Sequence, residues 1–365
     1  SERALQSLRS GLGLMKSGCT EDFTTRLLPR GPKGEINPFR GVVSGHFRNS
    51  TECDLHPALA SAELHQLGKH GTYSRRPPYL TPDDNGVSID VLVRRYFEPH
   101  HCSLYSGPGL AAADAAVGRL YDVRKGVVTP WSLRRAAESF LQAKTGLGWP
   151  VFSSSHEHVL DVMDMSAKLI RCKYPHDSVH YYPGVVGFRG QPRGGGPFCK
   201  FRAIYQGSRV IGNLEKMIQG PLLNALRGSE TFCAWDGRNA VDSAVTRLLR
   251  SSKRPLISID FSNFDASIPE PIIRRVFQLV CGWFDRSWHP HIMYLCDAFC
   301  GCGIFTPAGF LEGEARRGGI PSGSVLTNLI GSLVNLWVVT YATTLCKGHV
   351  QDALVQGDDG VYRLV

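Results

Sequence analysis

The sequence predicts an α+β chain, rich in helix with a few short strands, and three observations carry that reading. Near its end, Ala353-Leu354-Val355-Gln356 and Val361-Tyr362-Arg363-Leu364 flank Gly357-Asp358-Asp359-Gly360. Asp-Gly between alternating apolar arms is a strong hairpin signal. A second apolar run, Leu256-Ile257-Ser258-Ile259, ends on Asp260, with Asp265 in the loop after it. Between such runs, apolar residues recur at the spacing of amphipathic helices, as in Leu214, Met217, Ile218 and Leu222 or Ile272, Ile273, Val276, Phe277 and Val280.

Composition bounds the class. A chain of 365 residues with 42% hydrophobic and 20% charged residues is that of an ordinary folded protein and excludes a disordered one. The 41 basic against 32 acidic residues leave a net charge of +9, which fits a polyanionic partner. Eleven scattered cysteines with no secretory segment read as reduced thiols. From Ile320 to Cys346 no residue is charged, but Pro321, Ser322, Ser324, Asn328 and Asn335 interrupt the apolar run. A buried helix, not a membrane span, is expected there.

Taken in order, Ser1 to about Gly71 shows no long period. Val87, Ile89, Val91, Leu92 and Tyr96 predict a short helix, and His100 and His101 a surface loop. Thr129-Pro130 reads as the start of a helix with Thr129 as its cap, closed by Gly146, and Thr145-Gly146-Leu147-Gly148-Trp149-Pro150 as a bare-backboned turn. Ser154 and Glu157 have capping-box spacing ahead of a further helix. In Lys200-Phe201-Arg202-Ala203-Ile204-Tyr205, strand alternation puts Lys200 and Arg202 on one face, a pair of cations suited to phosphate. The loop Gly318-Gly319-Ile320-Pro321-Ser322-Gly323-Ser324 then opens the long uncharged helix with small hydroxyls. Two strands that each bring a carboxylate to one spot make a cage for divalent cations, which can drive an in-line displacement at phosphorus.

Asp260-x4-Asp265, then Ser322-Gly323-x3-Thr327, then Gly357-Asp358-Asp359 resemble motifs A, B and C of viral RNA-dependent RNA polymerases, in the same order. Lys200-x-Arg202 resembles motif F, and Thr145 to Pro150 is similar to motif G. The wording Ile320-Pro321-Ser322-Gly323-Ser324 and Val355-Gln356-Gly357-Asp358-Asp359 is closest to the partitivirus and picobirnavirus group of double-stranded RNA viruses. The resemblance implies a right-hand fold, with helix-rich fingers and an antiparallel-sheet palm. Residues 1–145 would form an N-terminal extension and fingers, 146–250 fingers, and 251–365 an incomplete palm.

It implies as well that Asp260, Asp358 and Asp359 hold Mg²⁺ or Mn²⁺ and that Lys200, Arg202 and Arg209 hold the triphosphate. Asp265 would accept a hydrogen bond from the ribose 2′-hydroxyl. Ser322, Gly323 and Thr327 complete the substrate site. Many relatives carry Asn four residues after the motif B Thr; here that residue is Gly331, and Asn335 one turn on is the candidate replacement. Template and product RNA, ribonucleoside triphosphates and capsid protein are the expected partners, in the host cytoplasm inside the viral particle. Because the chain lacks an initiator Met and stops just past the hairpin, it is expected to be an internal piece lacking the thumb, with poor stability alone. A reverse transcriptase-like enzyme and a non-catalytic RNA-binding virion protein are the alternatives.

Overall fold

A computed structural model describes residues 86–98, 102, 104, 107–140, 147–151, 158–192, 199–306, 309–311, 313, 316 and 318–365. The His100-His101 loop, Thr145, Gly146 and the Ser154–Glu157 capping box lie outside the described residues.

The helices in chain order are α1 (Ile89–Arg94), α2 (Pro108–Gly118), α3 (Leu133–Glu138), α4 (Val159–Arg171), α5 (Arg209–Leu226), α6 (Arg238–Ser251), α7 (Phe264–Ser267), α8 (Glu270–Cys281), α9 (His289–Gly301) and α10 (Thr327–Leu345). The strands are β1 (Gly184–Pro192), β2 (Cys199–Gln206), β3 (Ile257–Ile259), β4 (Ile304–Thr306), β5 (Gly309–Leu311), β6 (Val350–Gln356) and β7 (Asp359–Leu364). They form a four-stranded sheet in the order β2-β1-β4-β5 and a three-stranded sheet in the order β3-β7-β6. The second sheet is antiparallel throughout, while β1 and β4 make the first one mixed.

α10 is the axis of the core. Eleven of its residues from Leu329 to Thr340 are buried, and it packs on α2, α8 and the β6-β7 hairpin. Among the described residues it alone is long and apolar enough to cross a bilayer, yet most of it lies inside the protein. Its buried Trp337 donates to Asp114 of α2 at 2.9 Å, and Arg275 of α8 donates to the same carboxylate at 3.1 Å. One polar group therefore joins three helices inside an apolar cluster running from Ala113 to Tyr362.

The structure departs from the sequence reading at two helix starts. α3 begins at Leu133, capped by the Ser132 hydroxyl, which accepts from the Arg135 N–H at 3.3 Å. Thr129 and Pro130 are not its cap because Val128 is bridged to Phe284 and the Trp131 N–H donates to Met217, holding this segment extended. Asp265, expected in a loop, sits on the single turn of α7. Asn263 makes that turn possible at φ 53°, a left-handed conformation its short amide tolerates.

Candidate active site

Strand pairing brings the acidic residues together. In the hairpin Gln356 pairs with Asp359 and Val355 with Gly360, leaving Gly357 and Asp358 as the turn. Ile259 of β3 pairs with Gly360 of β7, so Asp260, the next residue, emerges beside Asp359 on a strand roughly 4.8 Å away. Asp260, Asp358 and Asp359 are all exposed. Asp359 is raised above the usual carboxylate range by partial burial and by the charges of Asp358 and Asp260. Asp265 is pushed up to about 6, chiefly by burial and then by Asp358, while the Arg202 guanidinium acts the other way. Among the described residues these side chains do not close into a ready-made ligand cage. They are hard oxygen donors that repel one another, a set that divalent cations fit.

The turn is held from beneath by α10. The Asn335 amide, wholly buried, donates to the carbonyls of Gly357 and Asp358 at 3.0 Å each and of Asp359 at 3.3 Å. Its oxygen accepts from the Tyr362 hydroxyl at 2.7 Å. Ser332 accepts from the Gly357 N–H at 2.8 Å, and Gly357 turns the chain at φ 61°. Asn335, expected from the sequence to bind substrate, spends every polar atom of its side chain on the hairpin. Asn335→Ala is expected to lower stability by about 3 kcal/mol, since it strands several buried backbone carbonyls and a phenol; a urea melt measures it. An unchanged midpoint would contradict that role.

The loop ahead of α10 is wedged between β2 and α5. Ser322 accepts from the Tyr205 N–H at 3.2 Å. A Cβ placed on Gly323 would lie 1.2 Å from the Tyr205 carbonyl oxygen, so only glycine lets the loop meet β2. The Thr327 hydroxyl donates back to the carbonyls of Pro321 and Ser324, closing the loop on itself. Gly331 faces Gly357 and Phe264, with room for a Cβ in ordinary contact.

The cations divide. Arg202 is exposed on β2 and close enough to Asp265 to act on its charge. The Lys200 side chain lies outside the described residues; its backbone pairs with Gln191. Arg209 lays its guanidinium 3.8 Å over the Phe140 ring. Burial lowers its pKa, and it does not figure among the charges acting on Asp265. The turn at Leu147–Pro150 is stitched to the start of α5, with the Arg209 N–H donating to Leu147 and the Ser208 hydroxyl to Trp149. A Cβ on Gly148 would sit 2.5 Å from the Gly207 carbonyl oxygen, so its bare backbone serves that packing.

Two participants escaped the sequence reading. Tyr96 is buried against Tyr205, ring centroids 4.6 Å apart, and its phenol is pushed up by burial and by Asp265. Glu215 of α5 binds the loop ahead of α10. Neither sits in a motif; only the fold brings them to the site.

Residues 213–364 match a family model described as viral RNA-dependent RNA polymerase. An RNA-directed RNA polymerase of Cryptosporidium parvum virus 1 (strain KSU-1) is 34% identical over 124 residues, 32% of this chain and 23% of that protein. The alignment thus spans under a quarter of that relative. The RNA-dependent RNA polymerase of a human picobirnavirus superposes with a TM-score of 0.60 at 17% identity, over 96% of this chain and 67% of its own. Its insertion-loop deletion mutant gives 0.59 at 17% identity, over 95% of this chain and 69% of its own. Asp260, the Ser322–Thr327 loop and the acidic hairpin all fall inside the matched segment, whereas Arg202 falls before it. The chain therefore resembles viral RNA-dependent RNA polymerases in sequence across its acidic motifs, and its fold is the right-hand fold of the picobirnavirus enzymes.

Proposed function

We propose that this protein carries out template-directed RNA synthesis from ribonucleoside triphosphates and so replicates and transcribes a viral RNA genome. The observation that carries the reading is the convergence of Asp260, Asp358 and Asp359 at the ends of paired strands, with the Arg202 charge near enough to act on Asp265. Asp260 and Asp358, with Asp359 beside them, would hold two Mg²⁺ or Mn²⁺ ions. When bound, such ions make the primer 3′-hydroxyl a better nucleophile and neutralise charge on the transferring phosphate.

The remaining roles belong to the chain. Arg202, on a strand whose backbone is fixed along its length by β1, offers a guanidinium fork to the triphosphate. Asp265, on α7 within reach of the charges of Arg202 and Asp358, accepts a hydrogen bond from the ribose 2′-hydroxyl. The glycine backbone at Gly323 and the hydroxyls around it line the approach. Template and product RNA are the partners, capsid protein a further one, and synthesis takes place in the viral particle in the host cytoplasm.

The test is incorporation of labelled ribonucleotides on an RNA template by the full-length protein, with a deoxynucleotide control. Ribonucleotide preference supports the reading; deoxynucleotide preference assigns a reverse transcriptase-like enzyme, and RNA binding without synthesis a binding protein. Asp265→Ala is expected to cut the ribo-to-deoxy discrimination about tenfold to a hundredfold, the worth of a hydrogen bond to a charged group. Unchanged discrimination would remove Asp265 from the sugar site.

A further inference from the structure

Glu215 is the one aspartate or glutamate classed as buried among the described residues, at 4% exposure in the middle of α5. Its bonds are not to a cation. One carboxylate oxygen accepts from the Ser324 hydroxyl at 2.5 Å and the other from the Val325 N–H at 2.9 Å. Both donors belong to the loop that opens α10, whose other side is pinned to β2 through Ser322 and Gly323. Beneath the loop lies a cavity of about 570 Å³ lined by Ile204, Arg209, Glu215, Phe299, Gly323 and Ser324. Glu215 borders that cavity and ties the loop to α5 across its edge.

We propose that Glu215 is a positioning residue for nucleotide addition, its carboxylate holding the Pro321–Leu326 loop in the conformation that presents Ser322 and Gly323 to the substrate. This rests on the polymerase reading above. The chemistry selects a carboxylate because the loop offers two donors to one side chain. A carboxylate accepts both in charge-assisted bonds, whereas an amide would accept from the Val325 N–H and meet the Ser324 hydroxyl as a donor, making neutral bonds only.

The charge state matters to the hold. Burial pushes Glu215 up to about 7, while the bonds from Ser324 and Val325 act in the opposite direction. The groups around it are Arg209 on its own helix and in the same cavity, and Cys302 at the end of α9, which in turn accepts from Arg316 at 3.2 Å. Ionised, Glu215 accepts from both loop groups in charge-assisted bonds; protonated, it keeps the Val325 N–H on its carbonyl oxygen and gives its proton to the Ser324 hydroxyl, so both contacts become neutral and weaker. Loop order therefore increases as pH rises through about 7. Global stability runs the other way, since the folded pKa stands above the ordinary value of 4.5: the contribution is full below 4.5 and is lost as pH rises through about 7.

The experiment compares the full-length wild-type protein with Glu215→Gln and Ser324→Ala. Hydrogen exchange of the peptide spanning the loop, corrected for intrinsic rates, is read at about one pH unit either side of neutrality together with kcat and KM for a ribonucleotide. In the wild type, protection and kcat are expected to rise about tenfold across that range; in Glu215→Gln both stay flat at the low value, and Ser324→Ala falls between. Equal protection and equal pH profiles in wild type and Glu215→Gln would overturn the proposal. So would a loss of kcat that merely tracks a lowered melting temperature. If the wild type makes no RNA, the polymerase reading fails and nucleotide addition goes with it. The exchange arm still decides whether Glu215 holds the loop.

Discussion

Asp358→Asn is expected to lower nucleotide incorporation by about a thousandfold or more while leaving the fold and RNA binding intact. The separation of effects follows from the architecture. Asp358 is exposed at the hairpin tip, and the tip is shaped through its backbone, by the Asn335 amide and the Ser332 hydroxyl. No described hydrogen bond or ion pair uses the Asp358 carboxylate, so its loss leaves the turn standing. The substitution instead removes one of the charges that raise Asp359 and Asp265, and both should move back towards the ordinary carboxylate range. Incorporation assays beside a thermal melt and an RNA-binding titration check this. Residual synthesis at a tenth of the wild-type rate, or equal loss of RNA binding, would remove Asp358 from the chemistry.

Gly323→Ala should be nearly as damaging, for a different reason. The added methyl would have to occupy the space of the Tyr205 carbonyl oxygen, and a strand backbone cannot swing aside as a flexible side chain can. The loop must then leave β2, breaking the bond from the Tyr205 N–H to Ser322. Separating the two shifts the loop relative to Arg202, which β2 carries. Because misplacement of positioning groups by about 1 Å costs about a hundredfold in rate, a loss of kcat/KM of at least that size is expected. Gly323 is exposed, so the core stays packed and the melting temperature should fall by only a few degrees. Near-normal kcat/KM in the folded variant would show that the junction with β2 is not required.

Periodicity and turn chemistry made much of the chain legible. The hairpin was readable because alternating apolar arms flank Gly357-Asp358-Asp359-Gly360, yet its turn is Gly357-Asp358, and the Asp359-Gly360 pair that signals a turn lies in β7. The inward residues of α5 were readable for the same kind of reason: Leu214, Met217, Ile218 and Leu222 recur at helical spacing and are buried. α10 was readable as a core helix because its polar residues argue against lipid, and three of them, Ser332, Asn335 and Thr340, are buried in the protein. By contrast β1 passed unread, since Gly184, Gly187 and Gly190 break its alternation and its strand character comes from pairing with β2.

The sequence by itself determined which residues are candidates for the chemistry, because carboxylates at strand ends, small residues ahead of a helix and a basic strand are local patterns. Only the tertiary structure decided what each one touches. Asn335, a substrate-site candidate by its spacing from Thr327, clamps the turn from beneath. Arg209 is a cation of the same stretch as Arg202, and its guanidinium lies on the Phe140 ring. Glu215, in a helix with no motif, reaches the loop ahead of α10 more than a hundred residues away. The reason is physical: a buried polar side chain must find partners wherever the fold puts them, and the spacing of residues along a chain carries no record of that choice.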